Sequence, residues 1–166
     1  MARRLLASSA LLASLVLVSC AAEEPEPTWT EERAYAEAEE VYRAFHEASM
    51  ERYAGGDDES YLQYLTPEMQ DGERDGQEWL DENGLVMGGR TEILAFEPIS
   101  YSETGESIAV SAEVCIDGSG LFVEDAQGEV VTPREDSPRY QVVVDFTSIN
   151  SELLISELSE EEGRSC

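Results

Sequence analysis

The sequence contains a single histidine, His46, the side chain type best suited to exchange a proton near neutral pH. It lies at the edge of an apolar stripe that repeats at helical spacing. General acid–base catalysis would pair it with a carboxylic acid, and Glu97, Glu113 and Asp145 on predicted strands are the candidates. No aspartate lies at helical spacing to orient the imidazole, so the sequence favours a border residue with one nitrogen in water.

An acidic stretch, DGERDGQEWLDE, nearly fits the spacing of a calcium-binding loop, with Gly76 at the sixth position. The ligands would be Asp71, Glu73, Asp75 and Glu82. The stretch departs from the template at the third position, where Glu73 replaces Asp or Asn, and Asn83-Gly84 follows where a helix should begin. We therefore expect no metal site. The sequence also lacks a phosphate-binding glycine loop and a zinc-spaced cysteine set, and we expect no cofactor.

Three cysteines supply the remaining reactive side chains, and the first of them ends an uncharged apolar run. The chain starts MARR, continues without charge to Val18 and reaches Cys20. A basic start followed by a short apolar run is typical of a signal peptide, and spanning a bilayer takes about 20 apolar residues. We predict a signal peptide over residues 1–19. Arg3-Arg4 gives only a fragment of a twin-arginine export signal.

The order Leu17-Val18-Ser19-Cys20 resembles the lipobox of bacterial lipoproteins. The resemblance implies that the Cys20 thiol receives a diacylglycerol and becomes the first residue of the mature protein. A plain signal peptide that happens to contain a cysteine is the alternative. Three cysteines leave an odd one in an exported protein unless one is modified. With Cys20 acylated, Cys115 and Cys166 remain as a disulfide pair, or alternatively as two buried thiols.

The chain is strongly acidic, with a formal net charge of −27, and all ten of its basic residues are arginine. Such a charge repels nucleic acid and anionic membrane surfaces, so we expect no nucleic-acid partner. The use of arginine alone resembles proteins of high-GC actinobacteria, and adaptation to salt is a second explanation for the acidity. Residues 20–29 are rich in proline and acid and predict a tether.

The rest of the chain, residues 30–166, predicts a single α+β domain, because helical periodicity comes first and period-two alternation follows. A long helix begins near Thr28 or Thr30, and Thr66-Pro67 begins another. We expect the segment 71–83 to add one or two helical turns. Beyond it, SIAVSAEVCID alternates as a strand, and DGSG (117–120) predicts a chain reversal.

The N-terminal amphipathic helix, the YLQYL and TPEM turns, the GGRTE strand entry and the two closing strands resemble the nuclear transport factor 2-like superfamily. The arrangement also resembles small actinobacterial lipoproteins with one cysteine in mid-sheet and another at the C-terminus. The resemblance implies N-terminal helices packed on a curved antiparallel sheet of about four to six strands, forming a cone with a small cavity. The expected lining residues are Tyr42, Phe45, His46, Val110 and Val144.

These features predict an exported lipoprotein anchored to the outer face of the cell membrane. Its domain would be a non-catalytic module that binds a small apolar molecule in the cavity, or another envelope protein or a second copy of itself through the sheet. The alternative is an exported isomerase or dehydratase that uses His46 and one sheet carboxylate, as some members of the resembled superfamily do. Fold alone does not decide between them.

Lipidation predicts a direct chemical test at Cys20. In its own host the protein should incorporate an alkyne-labelled fatty acid and partition into detergent, because two acyl chains hold a protein stably in a membrane. Cys20→Ala should lose the label, whereas Cys115→Ala should keep it. Unlabelled wild-type protein found entirely in the medium would contradict the lipoprotein assignment.

Overall fold

The computed structural model describes residues 29–56, 59–131, 139–160 and 166. The helices are α1 (Glu31–Tyr53), a short 3₁₀ helix (Ser60–Tyr64) and α2 (Pro67–Glu82). The strands are β1 (Val86–Thr104), β2 (Ser107–Glu124), β3 (Arg139–Ile149) and β4 (Glu152–Glu160). Within these ranges no helix is long and apolar enough to cross a membrane. The predicted signal peptide, Cys20 and the tether up to residue 28 lie outside the described residues.

The four strands form one antiparallel sheet in the order β1-β2-β3-β4, and the helices pack on it. This confirms the predicted α+β class, with four strands. The sheet is a meander, because each strand pairs with its neighbour in the chain. Three register shifts along β1, one of them beside Pro98, bend this edge strand as bulges do. The described elements and their core lie between Trp29 and Cys166, so this segment carries its own hydrophobic core.

The inner face of β2 is the centre of that core. Every second residue from Ile108 to Ile116 is buried, as the alternation in the sequence predicted. α1 packs on the same side of the sheet, closest to β1, and its small residues Ala34 and Ala38 are fully buried in the same core. Aromatic rings extend the contact, because Tyr42 lies 6.1 Å from Phe96 between ring centroids. The helix and the sheet are therefore held together by close apolar packing.

The helix ends follow the capping residues that the sequence offers. Thr30 caps α1 by accepting a hydrogen bond from the Arg33 N–H, and Thr66 caps α2 with Pro67 in the first turn. Trp29, which the sequence placed at the end of the tether, is buried, with the Arg33 guanidinium 5.1 Å from its ring centroid. The folded domain therefore begins before the first helical residue.

The predicted chain reversal at DGSG (117–120) is wrong, because β2 continues through this segment to Glu124. Gly120 serves a close approach of two strands instead. A Cβ at Gly120 would lie 2.5 Å from the Arg90 carbonyl oxygen, and a Cβ at Gly89 would lie 1.9 Å from the Gly120 oxygen. Only glycine fits where these backbones come together, and Gly89 also has a positive φ of 90°.

The segment after Thr66-Pro67 is more helical than predicted. One continuous helix of 16 residues, α2, replaces the one or two turns that we expected over 71–83. Gly72 and Gly76 lie inside it, although each glycine lowers helix stability by about 1 kcal/mol relative to alanine. Favourable capping at Thr66 and an acidic residue in the first turn help the helix to form.

Cys115 and Cys166 form a disulfide, as the cysteine count predicted. Cys115 lies on the outer face of β2, where it alternates with buried Val114 and Ile116. The bond connects strands that are already paired to the last residue of the chain, 51 residues away in sequence. It therefore fixes the C-terminus to the face of the sheet that points away from α1.

Removing this disulfide should destabilise the domain. Closing a loop of 51 residues contributes about 4 kcal/mol in the chain-entropy description. The double variant Cys115→Ala/Cys166→Ala should lose about 2–4 kcal/mol of unfolding free energy in urea, followed through the fluorescence of buried Trp29. Wild-type protein with reduced cysteines should match the variant. Equal stability of the oxidised wild type and the variant would contradict the expectation.

Candidate functional site

A cavity of about 400 Å³ lies between α1, α2 and one end of the inner face of the sheet. Its walls come from α1, the 3₁₀ helix, α2 and all four strands. The lining residues are Tyr42, Phe45, His46, Ser49, Met50, Arg52, Tyr53, Tyr61, Gly72, Glu73, Gly76, Gln77, Leu80, Met87, Thr91, Ile116, Leu121, Tyr140, Val142 and Leu158. Most of this surface is aromatic or aliphatic, with a few polar groups directed into it, which is the usual composition of a small-molecule site.

Three of the five residues expected to line a cavity do so, namely Tyr42, Phe45 and His46. The other two, Val110 and Val144, are 1% and 0% exposed and belong to the packed core instead. The physical reason is their position along the strands. They lie towards the end of the sheet that α1 covers closely, whereas the cavity lies at the other end.

His46 is half-buried at the cavity wall and has one hydrogen-bond partner there. Its Nε2 lies 2.7 Å from the Thr91 hydroxyl oxygen, a buried group on β1. Burial lowers the pKa of His46 below its ordinary value of 6.5, and the neighbouring Arg90 guanidinium lowers it further. The imidazole is therefore neutral at pH 7. Thr91, rather than a carboxylate, orients it.

A second polar group lies where α1 and α2 face each other across the cavity. The Arg52 guanidinium donates a hydrogen bond to the Tyr61 hydroxyl and lies 5.2 Å from the centroid of the Tyr61 ring. Burial raises the pKa of the Glu73 carboxyl, although Arg52 opposes that shift. Burial, and next the Glu73 carboxylate, raise the pKa of Tyr53 to about 12. Glu73 is thus close enough to both residues to influence them electrostatically.

The calcium-loop candidates have a different environment from the one that the motif requires. Asp71, Glu73, Asp75 and Glu82 all lie on α2, and a helix cannot wrap its own side chains around one cation. In the part of the chain that the structure describes, no group of three or more His, Cys, Asp or Glu side chains is arranged to hold a metal ion. Of the four candidates, Glu73 alone lines the cavity.

The strand carboxylates considered as partners for His46 lie elsewhere. Glu97 and Glu113 are opposite each other on β1 and β2, and Glu113 alternates with buried Val114. Asp145 accepts a hydrogen bond from the Ser111 hydroxyl. None of these carboxylates lines the described cavity. The outer face of the sheet carries them.

α2 forms one wall of the cavity without being packed tightly into the fold. None of its residues is fully buried, and its cavity side includes Glu73, Gln77 and Leu80. Gly72 and Gly76 also line the cavity, and a Cβ at either position would meet no other atom within 4 Å. The two glycines therefore keep space open that an ordinary helical residue would occupy.

Sequence reasoning missed Arg52, Tyr61 and Thr91 as cavity residues and named Glu73 only as a calcium-ligand candidate. Arg52, Tyr61 and Glu73 come from three separate elements, and only folding brings them together. Thr91 lies on β1, 45 residues from His46 in sequence, and no sequence pattern predicted their contact. One signal was available, because Gly72 and Gly76 are four residues apart and therefore share one face of a helix, on which neither carries a side chain.

Comparison with known proteins supports the fold. No family profile matches the chain, and no curated protein matches it significantly. Among solved structures it is similar to the intermembrane space region of the chloroplast protein ARC6, at 15% identity and a TM-score of 0.50, over 74% of this chain and 92% of that one. It also aligns with Aln2 from a Streptomyces species, at 17% identity and a TM-score of 0.39, over 80% and 92% of the two chains.

The ARC6 similarity shows the fold alone, since the identity is low, and the Aln2 alignment is too weak to support a conclusion. The fold and the cavity define the class of protein. It is an α+β domain in which two helices pack on an open four-stranded antiparallel sheet and leave a cavity beneath the second helix.

The environment of His46 predicts its titration. The C–H proton signals of this single histidine should titrate with a midpoint below 6.5, because burial and Arg90 both disfavour the imidazolium. Arg90→Gln should raise the midpoint, since it removes the positive charge and leaves Glu47 without its ion-pair partner. Arg74→Gln, on the exposed part of α2, is the matched control. A midpoint at or above 6.5 in wild-type protein would contradict the burial of His46.

Proposed function

We propose that this protein is an exported, lipid-anchored binding protein whose cavity takes up a small, largely apolar molecule. The observation that supports this most strongly is the cavity of about 400 Å³, lined by aromatic and aliphatic side chains with few polar groups. Binding pockets for small molecules have volumes of about 300–1,000 Å³. Transfer of an apolar molecule from water into a cavity of this size and composition lowers the free energy of the system.

The packing of α2 supplies a route into the cavity. α2 has no fully buried residue. Thr66 caps its first turn, and Asn83 caps its last turn just before Gly84, which has a positive φ. A helix with few buried contacts separates from the body of a domain at low cost in free energy. Movement of α2 would open the cavity without disturbing the core between α1 and β2.

The sequence supports the location proposed here. The apolar run that ends in Leu17-Val18-Ser19-Cys20 resembles a lipobox, and the disulfide is of a kind that persists outside the cytoplasm. We further propose that the domain is of the nuclear transport factor 2-like type, in which helices cover a bent antiparallel sheet. The acidic tether would hold the domain away from the membrane surface.

Catalysis as an isomerase or dehydratase stays a prediction of the resemblance. His46 would be its base, but Thr91 is its hydrogen-bond partner, and the strand carboxylates lie outside the described cavity. Binding of an envelope protein or of a second copy through the sheet also stays a prediction. The cavity has a definite volume and a defined lining, so binding of a small molecule to it can be tested directly.

Ligand binding is tested with N-phenyl-1-naphthylamine, a neutral apolar dye that fluoresces in apolar sites. Residues 21–166 should bind the dye and increase its fluorescence. Gly76→Leu should weaken binding by about tenfold, equivalent to about 1.4 kcal/mol, because the new side chain enters the open space at this position. Leucine is also a good helix former, so α2 should persist.

Glu78→Leu is the matched control, since it adds the same side chain to an exposed position of the same helix. This variant should bind the dye like the wild type. Equal binding by wild type and Gly76→Leu would show that the dye is outside the cavity, and no binding at all would contradict the proposed function.

A further inference from the structure

The Glu73 carboxylate is a charged group that α2 places on the cavity wall. Among the residues that the structure describes, it forms no hydrogen bond and no ion pair within 4 Å, although it is partly buried and lines the cavity. Burial without a partner raises the pKa of this carboxyl, and the Arg52 charge only partly opposes the effect. A carboxylate in this position would be stabilised by a positive charge inside the cavity.

Aromatic rings surround the same space. Five of the lining residues are aromatic, and four of these are tyrosines. They are Tyr42, Phe45, Tyr53, Tyr61 and Tyr140. The Tyr53 hydroxyl is neutral at pH 7, as tyrosine ordinarily is, and burial raises its pKa further, to about 12. Tyrosine rings attract amines and quaternary ammonium groups over their faces.

Arg52 shows that a ring of this cavity accepts a cation. Its guanidinium lies 5.2 Å from the Tyr61 ring centroid and donates to the Tyr61 hydroxyl. These contacts occupy Arg52 and distinguish it from Glu73, which has no comparable partner among the described residues. An anionic ligand would have to compete with Tyr61 for the guanidinium, whereas a cationic ligand would meet a carboxylate without a hydrogen bond.

The charge of the whole chain favours the same ligand class. A formal net charge of −27 raises the concentration of cations near the protein and repels anions. His46, on the cavity wall near the sheet, is held neutral by burial and by Arg90, so Arg52 is the lining residue whose positive charge a cation has to avoid.

We propose that the cavity binds an organic cation, an amine or quaternary ammonium group on an apolar body, with Glu73 as its counter-ion and tyrosine rings around it. This inference rests on the proposed function, because it assigns a ligand class to the same cavity. The apolar body would lie against the aliphatic wall formed by Leu121, Val142 and Leu158. The charged group would lie between α1 and α2, where Tyr53 and Glu73 face the space.

The test compares three probes of similar size and shape. Phenyltrimethylammonium is the cation, tert-butylbenzene is its neutral counterpart, and benzenesulfonate is the anion. Binding to residues 21–166 is measured from backbone amide chemical shifts. In wild-type protein the ammonium should bind about tenfold more tightly than tert-butylbenzene, since a partly buried carboxylate and aromatic faces both favour the charge.

Glu73→Gln keeps the size of the side chain and removes its charge. It should abolish the preference for the ammonium while the affinity for tert-butylbenzene stays unchanged. Glu78→Gln makes the same change in net charge at an exposed position of α2 and should leave the preference intact. A preference that falls equally in both variants would reflect the overall charge of the protein and would overturn the role of Glu73.

The outcomes separate this inference from the proposed function. Binding of tert-butylbenzene that Gly76→Leu weakens, without a preference for the ammonium, would overturn the cation proposal and leave the apolar binding function supported. Tightest binding of benzenesulfonate would make Arg52 the recognition group and would also overturn it. Absence of binding by all three probes would contradict both proposals.

Discussion

The structure depends on the burial of one face of β2 under α1. Five alternate apolar side chains of this strand are buried, and α1 contributes small alanines to the same core, which allow the helix to lie close to the sheet. Burial of each large aliphatic side chain contributes roughly 1.5–3 kcal/mol, so this contact accounts for a large part of the stability. The neighbouring strands then pair with β2 and β3 in a fixed register, because a shift by one residue would expose the apolar face.

The cavity arises where this packing stops. At the end of the sheet that includes Ile116 and Tyr140, α1 reaches its C-terminus and no longer covers the strands closely. α2 spans the space but brings glycine, glutamate and glutamine to its inner side rather than large apolar residues. A wall of this kind cannot fill the volume, and the fold therefore keeps a space whose lining combines a packed apolar side with a more polar and less tightly held side.

The outer face of the sheet serves a different purpose. It carries most of the strand carboxylates and the disulfide that fixes the C-terminus, whereas the inner face carries the apolar residues. This separation explains why an acidic chain can still form a dense core. The carboxylates remain near water, and the charge that they create acts at a distance on whatever molecules approach the domain.

The sequence by itself determined the α+β class, the helix cap at Thr66 and the alternation of β2. It narrowed the first cap to Thr28 or Thr30 and left Cys115 and Cys166 as the candidate disulfide pair. These features depend on residues close together in the chain or on a count of cysteines, so local rules were sufficient. The glycines at 118 and 120 led to the wrong prediction of a chain reversal. Glycine permits a turn and a close approach of two strands equally well, and only the position of the partner strand distinguishes the two.

Only the tertiary structure decided which side chains share the cavity. It placed Val110 and Val144 in the core, joined His46 to Thr91 and brought Arg52, Tyr61 and Glu73 together from three elements. Periodicity shows which face of an element points inward, but it does not show where along that face the packing ends. That position depends on how far α1 and α2 extend over the sheet, which is a property of the whole fold.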